Sequence, residues 1–278
     1  MRVRPITTAV AVLFTAATAA ACGGGSSADG PADNCKPAHE FTTIKKGTLT
    51  VAGYDLPPYS KLEGKKITGV DGEIVAAIAA KECLTVTPKW MATAAVIPTV
   101  QSGRADLAVG DWYRTKARTE VVSLSGPMYA DQMAIISKDG ISDISQLKGK
   151  KVGTVDGYLW VEDLKSYLGG SLKIYSTTLN MNQDLKAGRI DVGVDSFGSG
   201  KLNNPNLKVE VAKSHPDVAA SQEPAQSSLP VPKDNAALLK AVNEDIKELH
   251  ENGDIAKFLE NNNLPKSAAE TGDPRLIG

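Results

Sequence analysis

Two kinds of side chain in this 278-residue sequence could hold a small charged molecule. Arg118 offers a planar guanidinium, which donates two parallel hydrogen bonds to a carboxylate. Asp111 and Asp195 offer carboxylates to a cation, and Thr115 offers a hydroxyl. Near them stand Tyr54, Trp90, Trp112, Tyr113, Tyr158 and Trp160. An aromatic face attracts a cation by ~0.5–2 kcal/mol. Aromatic residues are only 5% of the chain, so six of them at predicted strand ends suggest the wall of a site for an amine-bearing ligand. Taken singly, each aromatic reads equally as core, Arg118 as a surface residue beside Glu120, and Asp195 as a helix cap.

Other chemistries find little material. The three histidines, at 39, 215 and 250, are scattered. There is no G-x-S-x-G nucleophile elbow, no H-E-x-x-H, no C-x-x-C and no phosphate-binding G-x-x-x-x-G-K-[ST]. Hydrolase, ATPase and zinc chemistry are therefore unsupported, and neither cofactor nor metal is expected. Asp111 or Glu162 could serve as the lone carboxylate of an acid–base enzyme. The 31 basic and 32 acidic residues leave a net charge of −1, which gives no reason to expect nucleic acid. Apolar residues at 42% and charged residues at 23% describe an ordinary folded chain.

The elements that must position these residues alternate. Short β-prone runs lie at Thr48–Ala52, Leu84–Lys89, Leu107–Val109, Met133–Ser137, Lys151–Thr154, Leu172–Tyr175 and Ile190–Val194. Helical patterns separate them: one capped by Asp71 and running through Cys83, then Ala95–Ser102, Leu159–Leu168 and Met181–Ala187. Strands alternating with helices imply βα units and largely parallel sheets. Gly103-Arg104-Ala105-Asp106-Leu107 returns as Gly188-Arg189-Ile190-Asp191-Val192, suggesting two similar halves. Two more helices follow, one capped by Asp234 and one by Asp254.

The N-terminus reads as an export signal. Arg2 and Arg4 precede an uncharged run from Ile6 to Ala21, shorter than the roughly 20 apolar residues a membrane span needs. Ala19-Ala20-Ala21-Cys22 resembles the bacterial lipobox, which implies removal of residues 1–21 and acylation, with palmitate, of Cys22. The protein would then be anchored to the outer face of the cell membrane. Cys35 and Cys83 remain; in an exported protein they either pair or stand as free thiols.

Further markers run along the chain: Gly47-Thr48-Leu49-Thr50-Val51, Pro57-Pro58-Tyr59, Gly69-Val70-Asp71, Gln101-Ser102-Gly103, and Asp106 through Thr115 to Arg118. Gly149-Lys150-Lys151-Val152-Gly153 and Gly188-Arg189-Ile190-Asp191 complete them. In this order they resemble the solute-binding proteins of bacterial ABC importers, in the two-lobed class that includes the polar amino-acid binders. The resemblance implies an α/β fold of the periplasmic-binding-protein class II type, two lobes with flanked sheets and a two-strand hinge. It implies a signal at 1–21, a flexible tether at 22–45, a first lobe at 46–130 and 229–264, a second at 131–228, and a loose tail at 265–278. Arg118, in a Thr-x-x-Arg motif with Thr115, would clamp a ligand carboxylate, and Asp195 would take its ammonium. Asp195 lies four residues after Asp191, one fewer than the family spacing. The expected function is capture of a small zwitterion, an amino acid, by a monomer that hands it to a membrane permease. Alternatives are a quaternary-ammonium or ectoine-like solute in an aromatic cage, a standalone receptor, and, remotely, a dehydratase-like enzyme.

Overall fold

The computed structural model describes residues 34–278; the signal segment, Cys22 and the first part of the tether lie outside them. Two α/β lobes are built on separate sheets. The first sheet is all parallel, in the order Thr85–Trp90, Thr48–Gly53, Leu107–Ala108. Apolar Leu49, Val51 and Leu107 are buried in it against Ile74, Val75 and Ile78 of the helix Val70–Lys81 and Val96 and Val100 of the helix Thr93–Gln101. The second sheet has five strands, Leu172–Tyr175, Val152–Val155, Val192–Ser196, Met133–Ser137 and Lys208–Val211. It is mixed rather than largely parallel: Met133–Ser137 runs antiparallel to both its neighbours. Its first two pairings are parallel.

The repeated Gly-Arg-x-Asp segment is one structural device used twice. Gly103 and Gly188 take left-handed φ of 65° and 69°, which lets each helix end turn straight into a strand. The following aspartate then fastens that strand to its neighbour. Asp106 accepts from the Thr50 amide at 2.7 Å and Asp191 from the Lys151 amide at 2.8 Å.

Between the lobes, Ala130–Asp131 pairs antiparallel with Ala225–Ser228, which also pairs with Trp112–Tyr113. The helix Ala236–Glu251 buries Leu238, Val242 and Ile246 and is capped by the Asn235 side chain on the Leu238 amide, not by Asp234. Among the described residues no helix is long and apolar enough to cross a membrane.

Two segments expected to be loose are fastened. Residues 34–45 lie along the first lobe. Cys35 is bonded to Cys83, His39 meets Glu82 at 2.6 Å, and the Ile44 amide donates to Asp106. The C-terminal segment is docked as well: the Ile277 amide donates to Arg114, and the Lys116 amide donates back to Ile277. The Gln226 amide group donates to the Thr271 and Asp273 carbonyls. Apart from the cysteine pair, polar composition gave no sign of these contacts, several of which use backbone amides and carbonyls.

The cross-link joins residues 48 apart, and a loop of that size restrains the unfolded chain by about 4 kcal/mol. The double variant Cys35→Ser/Cys83→Ser is expected to melt well below the parent in calorimetry, and the parent with reductant should fall to the same temperature. Equal melting of parent and variant would mean that the bond does not stabilise the fold.

Candidate functional site

The loop after the strand Leu107–Ala108 carries most of the candidate residues, and one buried carboxylate sets its shape. Asp71 does not cap its helix; Gly69 occupies the cap position. Fully buried, Asp71 accepts hydrogen bonds from the amides of Gly110 at 2.7 Å and Asp111 at 3.0 Å and from the Tyr129 hydroxyl at 2.6 Å. These bonds hold Gly110 at φ 128° and Asp111 at φ 52°. A side chain at Gly110 would strike the Tyr54 ring, 2.3 Å from the Cβ position. The left-handed turn aims Asp111 into the interlobe cleft, where it is 6% exposed and neither carboxylate oxygen has a partner.

Thr115 caps the short helix Lys116–Thr119 by accepting from the Arg118 amide at 3.0 Å. That cap turns Arg118 back over the loop. Its guanidinium donates to the Tyr113 carbonyl at 2.6 Å and lies 4.9 Å from the centre of the Trp112 ring. Burial pulls Arg118 down to about 10, so it stays charged at neutral pH.

The opposite wall comes from the second lobe. Gly157, Tyr158, Leu159 and Trp160 follow the strand Val152–Val155 and, with Ser196, face Leu56, Asp111, Trp112, Tyr113 and Arg118 across a narrow cleft. Rings bridge the walls: Tyr113 to Trp160 at 6.2 Å and Tyr54 to Tyr158 at 6.4 Å. Trp160 is fixed from behind by its Nε1 donating to Thr154 at 2.7 Å. Tyr54 stands just behind Trp112, its hydroxyl donating to the Gly110 carbonyl.

Two expected residues are placed elsewhere. Trp90 lies outside the cleft, packed over Gly53 with its Nε1 donating to Asp55 at 2.8 Å. Asp195 is fully buried behind Tyr158, accepting from the Ser196 amide at 2.8 Å and the Ser199 hydroxyl at 2.9 Å. The cause is strand alternation: successive side chains point to opposite faces. A spacing one residue short brings Ser196, rather than Asp195, to the cleft. The Ser196 hydroxyl is buried without a partner. Leu56, Leu159 and Ser196 had escaped the sequence reading; for Ser196 the short spacing was the available signal.

Beneath Asp111 lies an acidic layer. Asp131 accepts from the Tyr113 hydroxyl at 2.8 Å. Burial and the neighbouring Asp131 hold the Asp111 carboxyl well above the usual range. Burial raises Asp131 and Asp71 as well. Among the described residues one group has metal-ligand spacing: His39, Glu82 and Asp245, within 4.8 Å of one another. It lies beside the disulfide, not in the cleft, and the Lys81 ammonium sits 2.9 Å from Asp245.

The sequence model of the bacterial extracellular solute-binding proteins, family 3, matches residues 49–263. The chain belongs to this family. Its members are extracellular, so the protein is exported. An arginine-binding extracellular protein of Bacillus subtilis (strain 168) is 28% identical over 222 residues, 77% of this chain and 85% of that one. An L-cystine-binding protein of Escherichia coli (strain K12) is 27% identical over 228 residues, 78% of this chain and 82% of that one. Among solved structures, an amino acid ABC transporter substrate-binding protein from Streptococcus pneumoniae bound to L-arginine superposes with a TM-score of 0.69 at 27% identity. The match covers 81% of this chain and 96% of that one. Family membership agrees with the two lobes and the cleft between them.

Two predictions follow from this geometry. Gly157 has φ 84°, and a Cβ there would lie 3.1 Å from Ala94 of the facing lobe. Gly157→Ala is expected to hold the lobes apart and weaken ligand binding about tenfold, ~1.4 kcal/mol by calorimetric titration; unchanged affinity would mean that closure does not use this contact. Separately, burial pushes Asp195 up to about 7, whereas in the unfolded chain it titrates near ~3.9. The folded state therefore holds a proton that the unfolded state has released between those values, and stability falls as pH rises through that window. Denaturant midpoints should decline between about pH 4 and about pH 7, and Asp195→Asn should make the decline shallower, the raised Asp71, Asp111 and Asp131 supplying the remainder. A slope identical in parent and variant would show Asp195 to be ionised in the folded protein.

Proposed function

We propose that the protein captures an amino acid in the interlobe cleft and delivers it, chemically unchanged, to the permease of an ABC importer. The observation that carries this reading is Arg118: a charged guanidinium held over Trp112 at the cleft wall, with nitrogens free to meet a carboxylate. The family and the amino-acid binders among its relatives support the substrate class. The aromatic walls of Trp112, Tyr113, Tyr158 and Trp160 would enclose the rest of the ligand.

In this reading the ligand docks first on the loop from Asp111 to Arg118, and the second lobe then closes over it. The ligand shifts the open–closed balance only through its preference for the closed form. The closed form is what a permease would recognise. Residues 1–21 would direct export and Cys22 would carry the lipid that keeps a monomeric binder at the outer face of the membrane.

Arg118→Ala is expected to weaken the best-binding amino acid by about 2 kcal/mol or more, roughly thirtyfold, in calorimetric titration. Undiminished affinity would remove Arg118 from the site.

A further inference from the structure

The sequence pattern assigns the ligand ammonium to the second lobe; the geometry points instead to Asp111, on the first lobe, as its anchor, with the Ser196 hydroxyl completing the grip. This assignment rests on the amino-acid reading above.

An ammonium carries three N–H donors and needs acceptors with spare lone pairs at the cleft wall. Among the described residues, two that line the cleft carry buried side-chain oxygens with no hydrogen-bond donor, Asp111 and Ser196. Asp195 is not among the residues that line the cleft: it is fully buried, accepts from the Ser196 amide and the Ser199 hydroxyl, and lies behind Tyr158. Asp111 lies beside the Asp131 carboxyl and near the Ser227 hydroxyl, and two buried carboxyls side by side are relieved by a shared proton or by a cation. On binding, the cationic part of the ligand would take the place of that proton.

The turn that creates this arrangement is itself constrained. Asp111 is one of three non-glycine residues at positive φ among the described residues, and two of the three bonds received by Asp71 hold it there. Positive φ is disfavoured for a side chain other than glycine, so the position stores strain in order to aim a carboxylate inward. Arg118 follows on the same loop. Both charges of a zwitterion would thus be read by one lobe before closure, and the second lobe would contribute rings and a hydroxyl. The ligand class that fits is a free α-amino acid, whose carboxylate and ammonium are close enough together to be held by one loop.

The test uses the amino acid, among the standard twenty, that raises the melting temperature of the parent protein most, followed by calorimetric titration of parent, Asp111→Asn, Asp195→Asn and Ser196→Ala. Asp111→Asn is expected to bind about thirtyfold more weakly while melting higher than the parent, because it relieves the crowding of two buried carboxyls, Asp111 and Asp131. Asp195→Asn should stay within about threefold of the parent and Ser196→Ala should lose about tenfold. Should Asp111→Asn fail to fold, Ser196→Ala against Asp195→Asn decides the same question. Affinity kept by both Asp111→Asn and Ser196→Ala, or lost as severely by Asp195→Asn as by Asp111→Asn, overturns the assignment while leaving the amino-acid reading in place. A parent protein that responds to none of the twenty overturns the amino-acid reading and this assignment with it.

Discussion

The site rests on a carboxylate that does not touch the cleft. Asp71, buried in the first turn of its helix, gathers the amides of Gly110 and Asp111 and the hydroxyl of Tyr129. Three donors offset the loss of hydration, which is the condition for keeping a charged or polar group in a protein interior. The same three bonds tie the helix to the cleft loop and to the segment that enters the hinge strand Ala130–Asp131. Gly110 accepts this geometry because Tyr54 fills the space a side chain would need. From that point outward the chain has few choices: Asp111 turns inward, Trp112 and Tyr113 pair with the strand Ala225–Ser228, and Thr115 caps the helix that returns Arg118 to the loop.

This core of fixed polar contacts explains the unusual electrostatics above it. Asp71, Asp111 and Asp131 share one buried region with Tyr59, Tyr113 and Tyr129, and burial first, then the neighbouring carboxylates, raise these hydroxyls so that they remain protonated donors. Tyr59 stacks on Tyr129 at 5.6 Å and its hydroxyl accepts from the Gly198 amide of the other lobe. The tyrosines therefore do two things at once: they supply hydrogen bonds to acids that have lost water, and they carry the packing from one lobe to the next.

Much of the architecture was legible from pattern alone. Met133–Ser137 and Leu172–Tyr175 form the strands their β-prone runs announce, and the Gly-Arg-x-Asp echo marks the same strand entry in each lobe. What the pattern could not carry is direction. Asp71 reads as a helix cap because aspartate favours that position, yet the cap falls on Gly69 and leaves Asp71 facing the interior. Asp195 and Ser196 differ by one position on a strand, and one position decides which face a side chain takes. Trp90 sits at a strand end like the other tryptophans, but its side chain turns to Asp55. Residue type announces a binding wall; only the backbone says which of its candidates belong to it.

The placing of the tryptophans has a spectroscopic consequence. The chain has three, and the structure sets two of them, Trp112 and Trp160, in opposite walls of the cleft, while the third, Trp90, stays outside it, half-buried against Asp55. Indole emission depends on local polarity and on nearby charge. Trp112 lies under a guanidinium and Trp160 against two tyrosines, so any molecule parting the walls would alter both surroundings and leave Trp90 as a constant background. The protein thus contains an intrinsic optical reporter of its own occupancy, needing no added dye.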